Sequence, residues 1–548
     1  MTRVAVGGGR SRQIIPYITT YPRFQRELET NVRGTRLMSD PRRQPEKSVR
    51  PSARKSRTGV PGLDSVMAGG YPSENMFLVE GDPGTGKTTL ALQFLLEGVR
   101  EGEKGLYVTL SESAEELRLV AQSHGWSLDG IEIFELMPDE EALSPDAQYT
   151  VFHPSEVELT STTQAIFDTV ARVKPVRVVF DSLSELRLLA RDSLRYRRQI
   201  LGFKHFFTHH RSTVLLLDDR TGEDSDQQLR SLAHGVLLLE QLALDYGAER
   251  RKLRVVKMRG VLYRGGFHDY TIRTGGIEVF PRLVAAEHHT PFKRGTVLSG
   301  VRELDTLLGG GLDSGTSSLI LGPAGCGKTV LATQYACAAA SRGDHVAFYL
   351  FDERLGTFSD RAERLGMPIE KYYREGKIFI RSIDPAEVSP GEFAHTIVDT
   401  TTREGSKFVV IDSLNGYINA MPDERLLDIR LHELLSYLSQ RGVTTLLTLA
   451  QHGLFASSSS QAEVSYLADS LLVLRFFEVA GEVRKAISVL KKRSGPHELT
   501  IREFQVTNQG VRVGEPLREF QGVLTGVPDY VGQRQPLFAA EGPGARDR

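Results

Sequence analysis

The sequence predicts an α/β protein made of two tandem domains, each built on a mostly parallel central sheet. Three observations carry this. A glycine-rich line occurs twice, as "LVEGDPGTGKTTLALQ" at 78–93 and "LILGPAGCGKTVLATQ" at 319–334, with Lys328 following Lys87 by 241 residues. The features around each line recur in the same order. Each copy alternates short apolar runs with helix-like segments, the pattern of strands joined by crossover helices.

The repeat begins before the glycine lines, where "TGVPGLDSVMAGG" (58–70) is echoed by "SGVRELDTLLGGG" (299–311). After them come "KGLYVTLSES" (104–113) and "DHVAFYLFDER" (344–354), then "VRVVFDSL" (176–183) and "KFVVIDSL" (407–414). In the first copy "NMFLVEG" predicts a strand, and "KTTLALQFLLEGVR" a helix with one apolar face. "GLYVTLS" is a further strand. "SAEELRLVAQSHG" opens on Ser113 with Glu116 three residues on, a capping-box pattern. "VRVVF" and "TVLLLD" are continuous apolar runs, as expected of parallel strands covered on both faces. "RKLRVVKMRG" and "DYTIRTGGIEVF" predict antiparallel strands closing one edge. The expected organisation is a basic disordered arm over 1–57, one domain over 58–285, a second over 286–515 and a tail over 516–548, with the linker near 282–295.

Composition bounds the remaining classes. Hydrophobic residues make up 40% and charged residues 25%, the balance of a globular chain. No apolar run reaches membrane-spanning length, and the N-terminus lacks a secretory h-region. The only cysteines are Cys326 and Cys337, which fits a reducing cytoplasm. Net charge is −1, but residues 1–57 hold fourteen Lys/Arg against four Asp/Glu, so the rest is acidic. The arm is Pro- and Arg-rich and too poor in apolar residues to offset its ordering entropy. It reads as a nucleic-acid or partner tail, as a solvated extension, or as sequence upstream of a start at Met38.

"GDPGTGKT" and "GPAGCGKT" both fit G-x-x-x-x-G-K-[ST]. Backbone N–H groups of such a loop curl around phosphate oxygens, aided by the dipole of the following helix. The nucleotide-binding candidates are Gly81, Gly84, Thr85, Gly86, Lys87, Thr88 and Thr89, then Gly322, Gly325, Cys326, Gly327, Lys328, Thr329 and Val330. Lys87 and Lys328 would neutralise β/γ-phosphates, and Thr88 and Thr329 would offer hydroxyls to Mg²⁺. Asp181 and Asp412 each end an apolar strand, where a carboxylate holds Mg²⁺ or its water shell; the alternative for each is a helix N-cap. Hydrolysis also needs a group that orients or deprotonates the nucleophile. Glu112, beside Ser111, and the neighbours Asp352 and Glu353 are the candidates. Adjacent acids are costly without a cation or phosphate to face.

With these motifs in hand, the chain resembles the KaiC family of tandem RecA-like P-loop ATPases, over roughly residues 57 to 530. The resemblance also takes in "VVKMRG" (255–260), "SVLKKRSG" (488–495) and "FQGVLTGVP" (520–528). It implies a homohexameric double ring, with ATP and Mg²⁺ bound between neighbouring subunits. It implies that Lys257 and Arg259, and Lys491 and Arg493, reach the neighbour's γ-phosphate and stabilise phosphoryl transfer in trans. It further implies serine/threonine autophosphorylation by the second domain. Ser465 keeps the serine of the family's adjacent Ser-Thr pair, Tyr466 takes the place of the threonine, and Ser460 stands at another hydroxyl position. One departure is Ser111, where the family carries an acid; another is the shorter Asp352.

The expected function is therefore that of a cytoplasmic ATP-hydrolysing signalling protein, with itself and an unidentified signalling protein as partners and no membrane association. A DNA-stimulated motor that uses the basic arm, and a non-catalytic nucleotide-gated scaffold, remain as alternatives. The acidic balance beyond the arm disfavours the motor. His209–His210 and His288–His289 lack metal-ligand spacing, and Trp126 reads as a packing residue.

Overall fold

The computed structural model describes residues 54–136, 154–190, 192–220, 225–244, 246–287, 289–419, 427–451, 466–479, 481–525 and 529–531. It contains two nine-stranded sheets. The first lobe comprises β1 (Met76–Gly81), β2 (Gly105–Thr109), β3 (Ile131–Glu135), β4 (Arg177–Asp181), β5 (Thr213–Asp219), β6 (Gly235–Leu242), β7 (Arg250–Met258), β8 (His268–Arg273) and β9 (Gly276–Phe280). The second lobe comprises β10 (Ser317–Gly322), β11 (Val346–Leu350), β12 (Ile378–Ser382), β13 (Phe408–Asp412), β14 (Thr444–Ala450), β15 (Ser470–Val479), β16 (Glu482–Lys492), β17 (Arg502–Thr507) and β18 (Gly510–Pro516). The first sheet runs β3-β2-β4-β5-β1-β6-β7-β8-β9, and the second runs β12-β11-β13-β14-β10-β15-β16-β17-β18. The order is the same, so the sequence repeat is a repeat of topology. In each sheet the first six strands are parallel and the last three antiparallel. The antiparallel edge of the first lobe is the one the sequence predicts, whereas the parallel strands Ile131–Glu135 and Gly235–Leu242 are not singled out there.

Continuous apolar strands are buried on both faces. Phe77, Val79, Tyr107, Val179, Leu215 and Leu217 pack beneath the helix Lys87–Arg100. Their alternating neighbours Leu78, Leu106, Val108, Val178, Phe180, Val214 and Leu216 pack against Ile200, Phe203 and Phe207 of the helix Ser193–His209. Side chains alternate along a strand, so one run supplies both cores. The capping box forms: Ser113 accepts from the Glu116 N–H, and Glu116 reaches back to the Ser113 N–H. Trp126 packs against Gly276 and stacks on His124. Lys55–Ser56, in the stretch expected to be disordered, pairs with Tyr71–Pro72, because the chain there lies along the lobe and Ser56 is buried. Among the described residues, no helix is long and apolar enough to cross a membrane.

The two lobes meet through charged groups. Asp269 on β8 is 2% exposed; its Oδ2 accepts from the Gly391 N–H at 2.7 Å and from Arg430, while its Oδ1 is buried without a partner. Arg273 pairs with buried Glu392, and Arg282 with Glu433. His395 Nε2 donates to the Pro281 carbonyl at 3.1 Å. Removing one member of a buried ion pair strands the other. We expect Arg430→Leu to destabilise the chain by about 3 kcal/mol, read as a lower denaturant midpoint, with Asp269→Asn in the same chain recovering part of the loss. An unchanged midpoint would show that solvent already screens the pair.

Candidate functional site

Parallel strands end together, so each sheet collects its polar strand ends along one edge. In the first lobe the edge holds the loop 81–88, Asp181, Asp219 and the Ser111–Glu112 turn. In the second it holds the loop 322–329, Asp412 and the Asp352–Glu353 turn.

Both loops sit between a strand and a helix. Gly84, Gly86, Gly325 and Gly327 have φ of +84°, +90°, +77° and +108°, which residues with a Cβ rarely adopt. Gly81 and Gly322 are required by space. A Cβ at Gly81 would lie 2.6 Å from Thr85 Oγ1, and one at Gly322 would lie 2.6 Å from the Leu474 carbonyl oxygen and 2.9 Å from Cys326 Sγ. Thr85 and Cys326 thus fill the same place under their loops, and burial pushes the Cys326 thiol pKa up. Thr89 and Val330 are buried in the first turn of their helices. Tyr270 on β8 donates to the Thr85 carbonyl at 2.7 Å, and Ile272 packs at Gly86; Phe504 and Val506 occupy the matching places at Gly327.

Lys87 Nζ donates to the Gly81 and Asp82 carbonyls at 2.9 and 3.2 Å and pairs with Asp219 at 2.8 Å. Lys328 Nζ donates to the Gly322 and Pro323 carbonyls at 3.0 and 2.8 Å. Thr88 Oγ1 lies 3.1 Å from Asp181 Oδ2, which also accepts from Tyr107. Thr329 and Thr448 hydrogen-bond Asp412 in the same way. Burial raises both aspartates above the usual carboxylate range, and these hydrogen bonds oppose it. The peptide bonds after both aspartates are cis.

The carboxylates after β2 and β11 are arranged differently. Glu112 is half-buried, and its Oε2 has no hydrogen-bond partner. Burial raises its pKa, with Asp181 and Glu116 adding to the shift and Lys87 opposing it. In the second lobe Asp352 accepts from Ser413, next to Asp412, while Glu353 is held by Arg361 at 2.7 Å. The acid nearest the strand-end aspartate is therefore Asp352 there and Glu112 in the first lobe, where Val120 stands at the place of Arg361.

Each Lys-x-Arg pair lies at the far end of its own sheet. Lys257 is level with Val236 and so with Leu78; Lys491 is level with Leu471 and so with Leu319. Both lysines are three residues short of the glycine loop and two strands away, roughly 10 Å along the strand and 10 Å across. Lys257 donates to the Arg230 carbonyl and Arg259 to that of Ser231; Lys491 donates to the Ala468 carbonyl and Arg493 to that of Tyr466. Burial lowers both lysine pKa values, with the neighbouring arginine adding to it. Ser460 and Ser465 lie outside the described residues.

Asp219 and Tyr270 were not singled out from sequence. Asp219 ends the run "TVLLLDD", so the strand-end rule applied to Asp181 would have found it. Nothing in the sequence marks Tyr270. Among the described residues no cluster of three or more His, Cys, Asp or Glu could hold a metal by itself. Thr88 with Asp181, and Thr329 with Asp412, are the small oxygen donor set that suits Mg²⁺ when phosphates and water complete its shell.

Duplicated glycine loops on parallel sheets, each with a strand-end aspartate beside the loop threonine, define a tandem P-loop nucleotide-binding protein. The KaiC ATPase family model matches residues 56–284 and again 297–518, and the chain belongs to that family. It is 28% identical over 489 residues to the circadian clock protein KaiC3 of Synechocystis sp., covering 88% of this chain and 96% of that one. It is 26% identical over 489 residues to the circadian clock oscillator protein KaiC of Picosynechococcus sp., covering 87% and 93%.

A raised pKa keeps Glu112 protonated to a higher pH than an ordinary glutamate, and a base works only when deprotonated. With the second lobe silenced by Lys328→Ala, turnover should fall as pH drops through a value above the usual carboxylate range. Glu112→Gln should remove that limb and lower turnover at neutral pH roughly a hundredfold. A pH profile that is the same in both chains would assign the base elsewhere.

Proposed function

We propose that this protein is an ATP-hydrolysing signalling protein working as a homohexameric double ring, with serine/threonine autokinase activity in its second domain. The proposed domains are 58–285 and 286–515. The glycine loops cradle the triphosphate, with Lys87 and Lys328 on the β/γ-phosphates. Mg²⁺, held by Thr88 and Asp181 and by Thr329 and Asp412, would neutralise charge developing on the phosphates. Glu112 in the first domain and Asp352 in the second orient the nucleophile, with Glu353 steadied by Arg361 as its neighbour.

One observation carries the ring. The Lys-x-Arg pairs bond the carbonyls of Arg230, Ser231, Ala468 and Tyr466 and lie about three residues and two strands from their own loops. A subunit therefore cannot bring these cations to its own phosphate, whereas the next subunit in a ring can. Charge supplied in trans stabilises phosphoryl transfer and ties turnover to assembly. The autokinase reading rests on the KaiC-family resemblance, with Ser465 and then Ser460 as acceptors. Two buried, unpaired cysteines fit a cytoplasmic location, and a protein partner that reads the nucleotide state completes the signalling role.

The test is complementation. A Lys87→Ala, Lys328→Ala chain and a chain with Lys257, Arg259, Lys491 and Arg493 all replaced by Ala should each lack turnover. Mixing the two should restore it, because hybrid interfaces pair an intact loop with an intact cation pair. Native mass spectrometry should show rings with ATP, and phosphosite mapping of the same sample should mark Ser465 or Ser460. A fully active monomer overturns the ring. An unmodified 457–465 segment overturns the autokinase.

A further inference from the structure

The first domain carries an extra carboxylate beside its loop lysine that the second domain lacks. Gly81 is level with Asp219, and Gly322 is level with Ala450. Asp219 pairs with Lys87 at 2.8 Å, touches Ser184 at 3.3 Å and adds to the charge felt by Asp181. At the Ser184 position the second domain has Asn415, which bonds the Ala450 backbone on both sides. The surroundings extend the contrast. Level with Glu240, which pairs with Arg220 in the first domain, the second domain has Arg475, close to Cys326. The charges at the rim of the loop thus differ at two matched positions, although the phosphate-binding fold is the same.

We propose that Asp219 is a positioning residue that sets the nucleotide affinity of the first domain, because it competes with the triphosphate for Lys87. The inference rests on the ATP-site reading above. An incoming phosphate must replace the Asp219–Lys87 ion pair and then lie near a second negative charge. Like charges at this range disfavour binding, and a divalent cation between them reverses the sign. Asp219 accordingly weakens binding in the first domain and makes it more dependent on Mg²⁺, an effect that Ala450 does not bring to the second.

The experiment uses full-length chains and a fluorescent ATP analogue, titrated with Mg²⁺ and with EDTA. In a Lys328→Ala background, Asp219→Asn should tighten binding about tenfold in EDTA and by less in Mg²⁺. Asp219→Glu should keep the parent affinity. For Asp219→Asn, KM should fall with kcat nearly unchanged. In a Lys87→Ala background, Ala450→Asp should weaken binding in EDTA more than in Mg²⁺, and this arm decides the matter if Asp219→Asn fails to fold. Unchanged or weaker binding for Asp219→Asn, or a drop in kcat at constant KM, overturns the proposal. No binding to the Lys328→Ala parent would instead overturn the ATP-site reading for that domain.

Discussion

The candidate chemistry depends on one constraint: six neighbouring parallel strands must end along a common edge. Parallel pairing fixes strand direction, and burial on both faces fixes register, since a slip by one residue would exchange the two cores. Once β1, β2, β4 and β5 are aligned, Gly81, Glu112, Asp181 and Asp219 have no choice but to converge. The same constraint puts the Lys-x-Arg pair at the other edge. Strand β7 runs antiparallel, so its late residues return to where the parallel strands begin. The separation of the Lys-x-Arg pair from its own loop is a consequence of strand direction and needs no special device.

The duplication conserves geometry and lets charge drift. Glycines, the loop lysine, the adjacent threonine and the strand-end aspartate keep their places in both domains. Around them the electrostatics diverge: Asp219 against Ala450, Glu240 against Arg475, Ser111 against Asp352. Backbone curvature tolerates no substitution where a Cβ would lie under 3 Å from a neighbour. A charge at the rim alters affinity or rate without disturbing the fold, so it is the freer variable.

Much of this was legible in the sequence because periodicity and glycine are local signals. Continuous apolar runs gave the parallel strands, Ser113 and Glu116 gave a helix start, and the glycine spacing gave the loops. What escaped depends on partners far away in the chain. Arg177 stands inside the run "VRVVF" and is fully buried, held by Glu101, Glu103 and the carbonyls of Arg57 and Phe94. The second domain has Phe408 at that position, so no repeat announced it. The tether of Glu353 to Arg361 is likewise invisible until a helix brings Arg361 back across eight residues. Two adjacent acids read as equivalent, and the structure separates them.

The contact between the domains follows from the same alternation. On β8, Tyr270 and Ile272 face the first glycine loop, while Asp269 and Arg273 face the second domain. Asp269 meets the start of the helix Pro390–Arg403 and Arg430 of the helix Leu427–Gln440. One strand thus touches a phosphate-loop carbonyl with one face and the other domain's helices with the opposite face. Close-packed interiors transmit displacement rather than absorb it. Tyr270 and Asp269 are neighbours on that strand, so a movement of the Thr85 carbonyl bears on a buried carboxylate whose Oδ1 has no partner.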